Sequence, residues 1–200
     1  MLLISYNVSS LVVDTLRKQA MEENAAVACF YFGFPAREEQ PLAAVLGSVL
    51  KQAVVGLEEV PEGIVRAFRD QEKIIGGLRL PLSEIVEFLH DISSSRSTFI
   101  CIDALDECPS GHRERLLDLL NQVLQESPGT RLFMTGRPHI LGEVEKHLGG
   151  RVATRSITPT KNNISIFLRA RLKEDTIPGA MDESLEEEIM KHILEMVSEM

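Results

Sequence analysis

Two kinds of hydrophobic pattern alternate along this chain. In residues 10–21 the apolar side chains of Leu11, Val12, Leu16 and Ala20 recur at helical spacing, which predicts an amphipathic helix. Short, largely apolar runs instead predict strands at residues 25–34, 98–103 and 131–135, and a further strand is expected at residues 152–157. Further helices are predicted over residues 41–55, 60–75, 82–92, 111–125, 162–173 and 184–200, with a short helix ending near 148 and a polar turn at 93–97. Strands separated by helices favour a parallel sheet with helices covering its faces.

The composition is that of an ordinary globular protein, with 200 residues, 44% hydrophobic and 26% charged. The formal net charge of −9 argues against nucleic-acid binding, because an acidic protein repels a phosphate backbone. No stretch approaches the roughly 18 apolar residues of a membrane span. Residues 1–10 have no basic n-region and too short an apolar run for a signal peptide, so none is expected there. The three cysteines, Cys29, Cys101 and Cys108, lack metal-ligand spacing and fit a reduced, cytoplasmic protein. Cys101 lies within a predicted strand and is interpreted as inert core.

Pro178 and Gly179 interrupt the pattern between the last two predicted helices. We therefore expect an α/β module over residues 1–178 and the start of a helical region over residues 179–200. The final helix carries many acidic side chains, which are interpreted as a solvated face rather than a docking tail.

The segment FICIDALDECP, residues 99–109, is the most informative part of the chain. Its apolar strand would deliver Asp103 to the carboxyl end of the sheet, where ligands bind in open α/β folds. Asp106 and Glu107 follow within five positions. Such acids can hold Mg²⁺ through water and can orient or deprotonate an attacking water, as nucleotide-hydrolysing sites require. The alternative is a cluster of acids that caps a helix.

A second candidate is Arg137, in the segment LFMTGRP at the end of the next predicted strand. If the two strands are neighbours, Arg137 lies beside the carboxyl end that holds Asp103. An arginine there could contact a γ-phosphate. It could equally form an ion pair with Asp106 or Glu107, and the two interpretations are compatible.

These segments resemble the NACHT-type NTPase module of STAND proteins. The likeness is strongest to the fungal form known as the nephrocystin-3-like N-terminal domain, found in NOD-like and heterokaryon-incompatibility receptors. It rests on ACFYF (28–32), PLAAVLGSVLKQ (41–52), FICIDALDECP (99–109) and MTGRPH (134–139). The resemblance implies a three-layer P-loop fold that binds ATP or GTP with Mg²⁺. It also implies that Asp103 is the Walker B acid, Asp106 and Glu107 are its catalytic extension, and Arg137 is a sensor arginine.

The sequence departs from the family at its N-terminus. The family has a first strand and a GxxGxGK[ST] loop, whereas this chain has MLLISYNV, with no Gly before Gly33 and no Lys before Lys18. We expect residues 2–4 to keep only a stub of that strand. Charge-assisted contacts of such a loop are worth roughly 1.5–3 kcal/mol each, so their loss would lower nucleotide affinity by orders of magnitude. We therefore expect no useful ATP turnover by this chain alone.

The resulting hypothesis is a fragment of a NACHT/STAND-type signalling module that retains Walker B and sensor elements but lacks Walker A. It would associate with itself or with related NACHT proteins. Two alternatives stay open. The chain could be a non-catalytic module that pairs with intact relatives through its helices, or a gene-model fragment truncated at both ends.

Overall fold

The computed structural model describes residues 2–33, 41–57, 59–72, 80–157, 160–173 and 183–198. The chain divides into two compact units, Met1–Val152 and Ala153–Met200. The boundary expected near residue 178 falls within 174–182, outside the described residues, so that division into domains stays a prediction. Within the described residues, no helix is both long enough and apolar enough to cross a membrane.

The first unit contains six helices and three strands among its described residues. The helices are α1 (Leu2–Glu23), α2 (Leu42–Val54), α3 (Glu62–Glu72), α4 (Leu82–Ser95), α5 (Ser110–Glu126) and α6 (Leu141–Leu148). The strands are β1 (Ala26–Tyr31), β2 (Thr98–Asp103) and β3 (Thr130–Met134), and short 3₁₀ turns follow at Leu105–Glu107 and Pro138–Ile140. The second unit contains α7 (Lys161–Lys173) and α8 (Glu183–Ser198), which pack against each other.

The three described strands form a parallel sheet in the order β1-β2-β3. The register sets Tyr31 opposite Asp103 and Ile102 opposite Met134, so the carboxyl ends of the strands share one edge. The expected mixed α/β fold with a parallel sheet is therefore confirmed. It is consistent with a truncated P-loop-like fold.

The two faces of the sheet are covered by different helices. One face, which includes Ala28, Ile100 and Ile102, joins a continuous core with α2, α4 and α5. The other face carries the alternate residues of each strand, and α1 packs on it against β1 and β2. Because side chains alternate along a strand, Asp103 points to the α1 side of the sheet.

The N-terminal segment differs from its predicted structure. Residues 2–4 were expected to keep a stub of a first strand, but they form the first turn of α1. No Gly or Pro occurs between residues 2 and 23, so nothing in the sequence interrupts the helix. The helical pattern predicted for residues 10–21 therefore continues to the beginning of the described chain.

Two further expectations were wrong. The polar turn predicted at residues 93–97 begins later, because Ser93, Ser94 and Ser95 complete α4. Ser93 is buried, and the Ser95 hydroxyl donates to the Ile92 carbonyl oxygen at 2.7 Å, a bond within the helix that lets a serine continue it. The strand predicted at residues 152–157 is irregular chain. Its residues are mostly exposed, and no described strand pairs with them.

Candidate functional site

Asp103 ends β2 at the carboxyl edge of the sheet, as the sequence predicts. It is 3% exposed. Its Oδ1 accepts hydrogen bonds from two hydroxyl groups, one from Ser9 of α1 and one from Thr135 at 2.5 Å. The carboxylate thus joins the helix on one face of the sheet to the end of the neighbouring strand. The two hydroxyl groups thereby fix the direction of the carboxylate.

Thr135 connects the ends of β2 and β3. Its backbone N–H donates to the Ile102 carbonyl oxygen at 3.0 Å, and its own carbonyl accepts from the Leu105 N–H at 2.9 Å. Its hydroxyl, which donates to Asp103, accepts from the Ala104 N–H at 3.1 Å. The chain on both sides of Asp103 is therefore fixed by one threonine on the adjacent strand.

The backbone leaves the strand conformation immediately after Asp103. Ala104 has φ 53° and ψ 47°, a left-handed conformation that non-glycine residues rarely adopt. The 3₁₀ turn Leu105–Glu107 begins there and returns the chain to the carboxyl edge of the sheet. This local strain positions Asp106 and Glu107 beside the strand end instead of letting the strand continue.

Arg137 reaches the same edge from the segment after β3, and it pairs with both acids. Its Nε lies 3.2 Å from Asp106 Oδ2, and its Nη2 lies 3.2 Å from Glu107 Oε1. Its backbone N–H also donates to Asp106 Oδ1 at 3.2 Å. The Asp106 and Glu107 side chains are 7% and 13% exposed, whereas that of Arg137 is 48% exposed. The guanidinium therefore neutralises two largely buried carboxylates while one side faces solvent.

An ion pair between Arg113 and Glu143 lies next to the 3₁₀ turn that carries Asp106 and Glu107. Arg113 of α5 contacts both carboxylate oxygens of Glu143 on α6, with Nε at 3.0 Å from each and Nη2 at 2.7 Å from Oε2. The Nη1 of Arg113 donates to the Cys108 carbonyl oxygen at 2.8 Å and lies 3.5 Å from that of Asp106. Arg113 is 8% exposed. It thereby fixes the backbone that carries the two acids.

A comparison with sequence models of known protein families finds a match that covers this site. The sequence model described as nephrocystin 3, N-terminal matches residues 7–137 of the 200. The chain belongs to this family. The matched range of the nephrocystin 3 N-terminal family contains Asp103, Asp106 and Glu107, and it ends at Arg137. The comparisons with curated proteins and with solved structures give no match.

The four predicted site residues lie together at one edge of the sheet. Their roles in binding or catalysis remain predictions, since the geometry describes only their contacts. Arg137 forms ion pairs with Asp106 and Glu107, as one of the two interpretations of its sequence position predicted. Ser9, Thr135 and Arg113 were not singled out from the sequence. Thr135 ends a predicted strand next to Asp103, a signal that could have identified it. Ser9 and Arg113 gave no comparable signal, because only packing brings them to the site.

The edge fits a magnesium ion only in a limited way. Among the described residues, no three His, Cys, Asp or Glu side chains are placed to share one metal ion. Asp103 is held by hydroxyl groups, and Arg137 engages the two other acids. Mg²⁺ commonly uses one or two carboxylates and completes its shell with water and substrate phosphates. The donor set suits a phosphate-bound Mg²⁺ and provides no cage for a free ion.

Proposed function

We propose that this chain is part of a nucleotide-dependent signalling module of the NACHT/STAND type, with its nucleotide at the carboxyl edge of the sheet. The observation that carries the proposal is the buried Asp103, which ends a central parallel strand and accepts two hydroxyl hydrogen bonds. A buried carboxylate at this position of an open α/β sheet is where such folds hold a metal-bound phosphate.

Each residue of the edge has a distinct proposed role. Asp103 would hold Mg²⁺ through a water molecule, and Ser9 and Thr135 fix the direction of its carboxylate. Asp106 and Glu107 orient the water that would attack the γ-phosphate. Arg137 contacts the phosphate after exchanging its two carboxylate partners for it. Mg²⁺, when bound with the nucleotide, would supply charge neutralisation at the phosphates.

We expect weak nucleotide binding and no useful turnover by this chain alone. Residues 2–23 form a helix that contains no glycine, and its first lysine is Lys18. A phosphate-binding loop works through backbone N–H groups that approach closely, together with a lysine at the β- and γ-phosphates. The described residues at the carboxyl edge offer one partly exposed cation, Arg137, which two carboxylates already engage.

A titration with a fluorescent ATP analogue, with and without Mg²⁺, tests the proposal. Asp103→Asn is the informative variant, because it keeps the shape of the side chain and removes its charge. Asp118→Asn is the matched control, since Asp118 is exposed on α5 and pairs with His147 instead. Mg²⁺-dependent binding in the micromolar to submillimolar range that Asp103→Asn abolishes and Asp118→Asn leaves intact supports the proposal. No binding up to millimolar analogue refutes it, as does equal binding by the Asp103→Asn variant once circular dichroism shows that it is folded.

A second candidate function is a non-catalytic module that binds helices of intact relatives. It is favoured by an apolar groove of about 290 Å³ between α2 and α3. Val60 and Phe68 line this groove and are 39% and 44% exposed. Size-exclusion chromatography and pull-down with an intact family member test this candidate. Micromolar association that Phe68→Glu abolishes supports it, and the absence of association rejects it.

A further inference from the structure

Two of the three cysteines occupy matching positions on neighbouring strands. Cys29 of β1 and Cys101 of β2 are register partners in the parallel sheet, so both side chains leave the same face. Neighbouring strands lie about 4.7–4.9 Å apart, and Cα atoms joined by a disulfide are usually about 4.4–6.8 Å apart. Both thiols are free. The backbone spacing therefore permits a bond between them without a change of strand register.

The two thiols differ in access. Cys29 is partly exposed on the outer strand of the described sheet, whereas Cys101 is 3% exposed on the central strand. A small solute from solvent therefore meets Cys29 first. Cys101 can react only with a group that its neighbour presents.

The surroundings of Cys29 suit a reacting sulfur. Nη2 of Arg17, on α1, lies 3.5 Å from its Sγ. A guanidinium at this distance stabilises the negative charge that develops on sulfur during nucleophilic attack. The side chain of Gln52 holds the Cys29 backbone at both polar groups, with Oε1 accepting from its N–H at 3.0 Å and Nε2 donating to its carbonyl at 2.8 Å. The Sγ also donates to Gln52 Oε1 at 3.4 Å and contacts the Tyr31 side chain, so the residue is fixed at a partly exposed position.

We propose that Cys29 is a hydroperoxide-sensitive thiol that Cys101 converts into an intrachain disulfide. In the first step the Cys29 sulfur attacks one peroxide oxygen, the O–O bond breaks, and water leaves to give a sulfenic acid. In the second step the Cys101 sulfur attacks the Cys29 sulfur and the S–O bond breaks. The departing hydroxyl group takes the Cys101 proton and leaves as a second water. The two sulfurs together lose two electrons, and the peroxide gains them.

The bond would be readily reversible. The Cβ atoms of a disulfide are about 3.8 Å apart, closer than those of side chains that stand parallel on neighbouring strands. The two strands must therefore approach each other slightly, and a strained disulfide is more easily reduced than a relaxed one. It would form two residues before Asp103, on the same face of the sheet beneath α1. This inference is independent of nucleotide binding.

The test is to treat the purified chain with hydrogen peroxide and map its thiols by mass spectrometry without reduction. Trypsin leaves Cys101 and Cys108 in one peptide, 97–113, so a second cleavage after Glu107 is needed to separate them. We expect loss of two hydrogens and a cross-linked pair of peptides that contain Cys29 and Cys101. Cys108→Ser should behave like the wild type. Cys101→Ala should stop at a sulfenic acid on Cys29, which dimedone captures.

Replacing the exposed Arg17 tests the proposal with both thiols left in place. Arg17→Gln should slow the oxidation of Cys29 several-fold, whereas Arg115→Gln, at an exposed position on α5, should leave the rate unchanged. This comparison still decides if Cys101→Ala fails to fold. The proposal is overturned if the disulfide involves Cys108 or joins two chains, if Cys29 reacts no faster than Cys108, or if Arg17→Gln leaves the rate unchanged.

Discussion

Replacing Arg113 tests how the carboxyl edge of the sheet is supported. Its side chain is 10% exposed and that of its partner Glu143 is 20% exposed, so solvent screens this ion pair only weakly. The variant Arg113→Met keeps most of the side-chain volume and removes the guanidinium. It leaves a largely buried carboxylate without its cation and the Cys108 carbonyl without its donor. Removing one partner of a buried ion pair destabilises by about 3–5 kcal/mol. We expect about 2–4 kcal/mol, because Glu143 retains some contact with water.

The double variant Arg113→Met with Glu143→Met separates the ion pair from its burial. Replacing both charges with apolar side chains of similar size removes the unpaired carboxylate, so the double variant should lose less stability than the sum of the single variants. We expect a coupling of about 1–3 kcal/mol. Urea unfolding at neutral pH measures it, since a slope of roughly 2 kcal/mol/M converts the loss in Arg113→Met into a midpoint about 1–2 M lower.

A control on the same helix gives the scale for surface changes. Arg115 is exposed on α5, and Arg115→Met should change the free energy of unfolding by no more than about 0.5 kcal/mol. The reasoning is refuted if Arg113→Met loses less than about 1 kcal/mol, the ordinary value for an exposed pair. It is also refuted if the single losses add to that of the double variant, because the two side chains would then not interact.

Three further predictions concern pH, a glycine and the paired acids. Burial raises the pKa values of Cys101 and Cys108 from 9.0 to about 11. As the pH rises above 9, the thiols of the unfolded chain therefore lose their protons before those of the folded chain. The free energy of unfolding should fall between pH 9 and pH 11, by at most about 1.4 kcal/mol per pH unit for each thiol. Across this pH range the urea midpoint should fall less steeply for Cys108→Ala than for the wild type. Equal slopes for the two proteins would show that the Cys108 thiol does not contribute to this loss of stability. A Cβ at Gly136 would lie 2.6 Å from Cδ1 of the buried Ile140, so Gly136→Ala should lower the free energy of unfolding, measured by urea denaturation, by about 1–3 kcal/mol. Gly142→Ala is the control and should leave it unchanged, because a Cβ there meets nothing within 4 Å. Arg137→Met leaves two largely buried carboxylates, Asp106 and Glu107, without their cation. Millimolar MgCl₂ should therefore raise the melting temperature of this variant more than that of the wild type, with KCl of equal ionic strength as the control. Equal shifts would show that Arg137 does not neutralise these acids.

The sequence predicts the sheet well where burial dominates. The run TFICID forms β2 with the predicted limits, Thr98–Asp103, because a strand buried on both faces is apolar throughout and ends at its first acid. The strand predicted at residues 152–157 does not form, and no strand in the described part of the chain pairs with this segment. The prediction also fails at residues 2–4, where apolar residues join a helix. A short apolar run does not by itself distinguish a strand from a helix, because only its neighbours decide.

The candidate site divides in the same way. Asp103, Asp106 and Glu107 are close in sequence and follow a recognisable strand, so their clustering could be predicted. Arg137 could be placed beside them once β2 and β3 were assumed to be neighbours. Ser9 lies 94 residues from Asp103 along the chain, and Arg113 lies 30 residues from Glu143. Contacts between such distant positions arise from the packing of α1 on the sheet and of α5 against α6, and no local pattern encodes them.

The ion pairs of Arg137 bear directly on the proposed function. A sensor arginine with no acidic neighbour would be an unpaired cation whenever the phosphate site is empty. Here Asp106 and Glu107 provide the counter-charge, and both are largely buried. Moving the guanidinium to a phosphate would leave them uncompensated, which is unfavourable unless another cation arrives with the ligand. A nucleotide bound with Mg²⁺ meets that condition and a metal-free nucleotide does not. Under the proposed function, the two interpretations of Arg137 would describe successive partners of one side chain, and we expect nucleotide binding to depend on the metal.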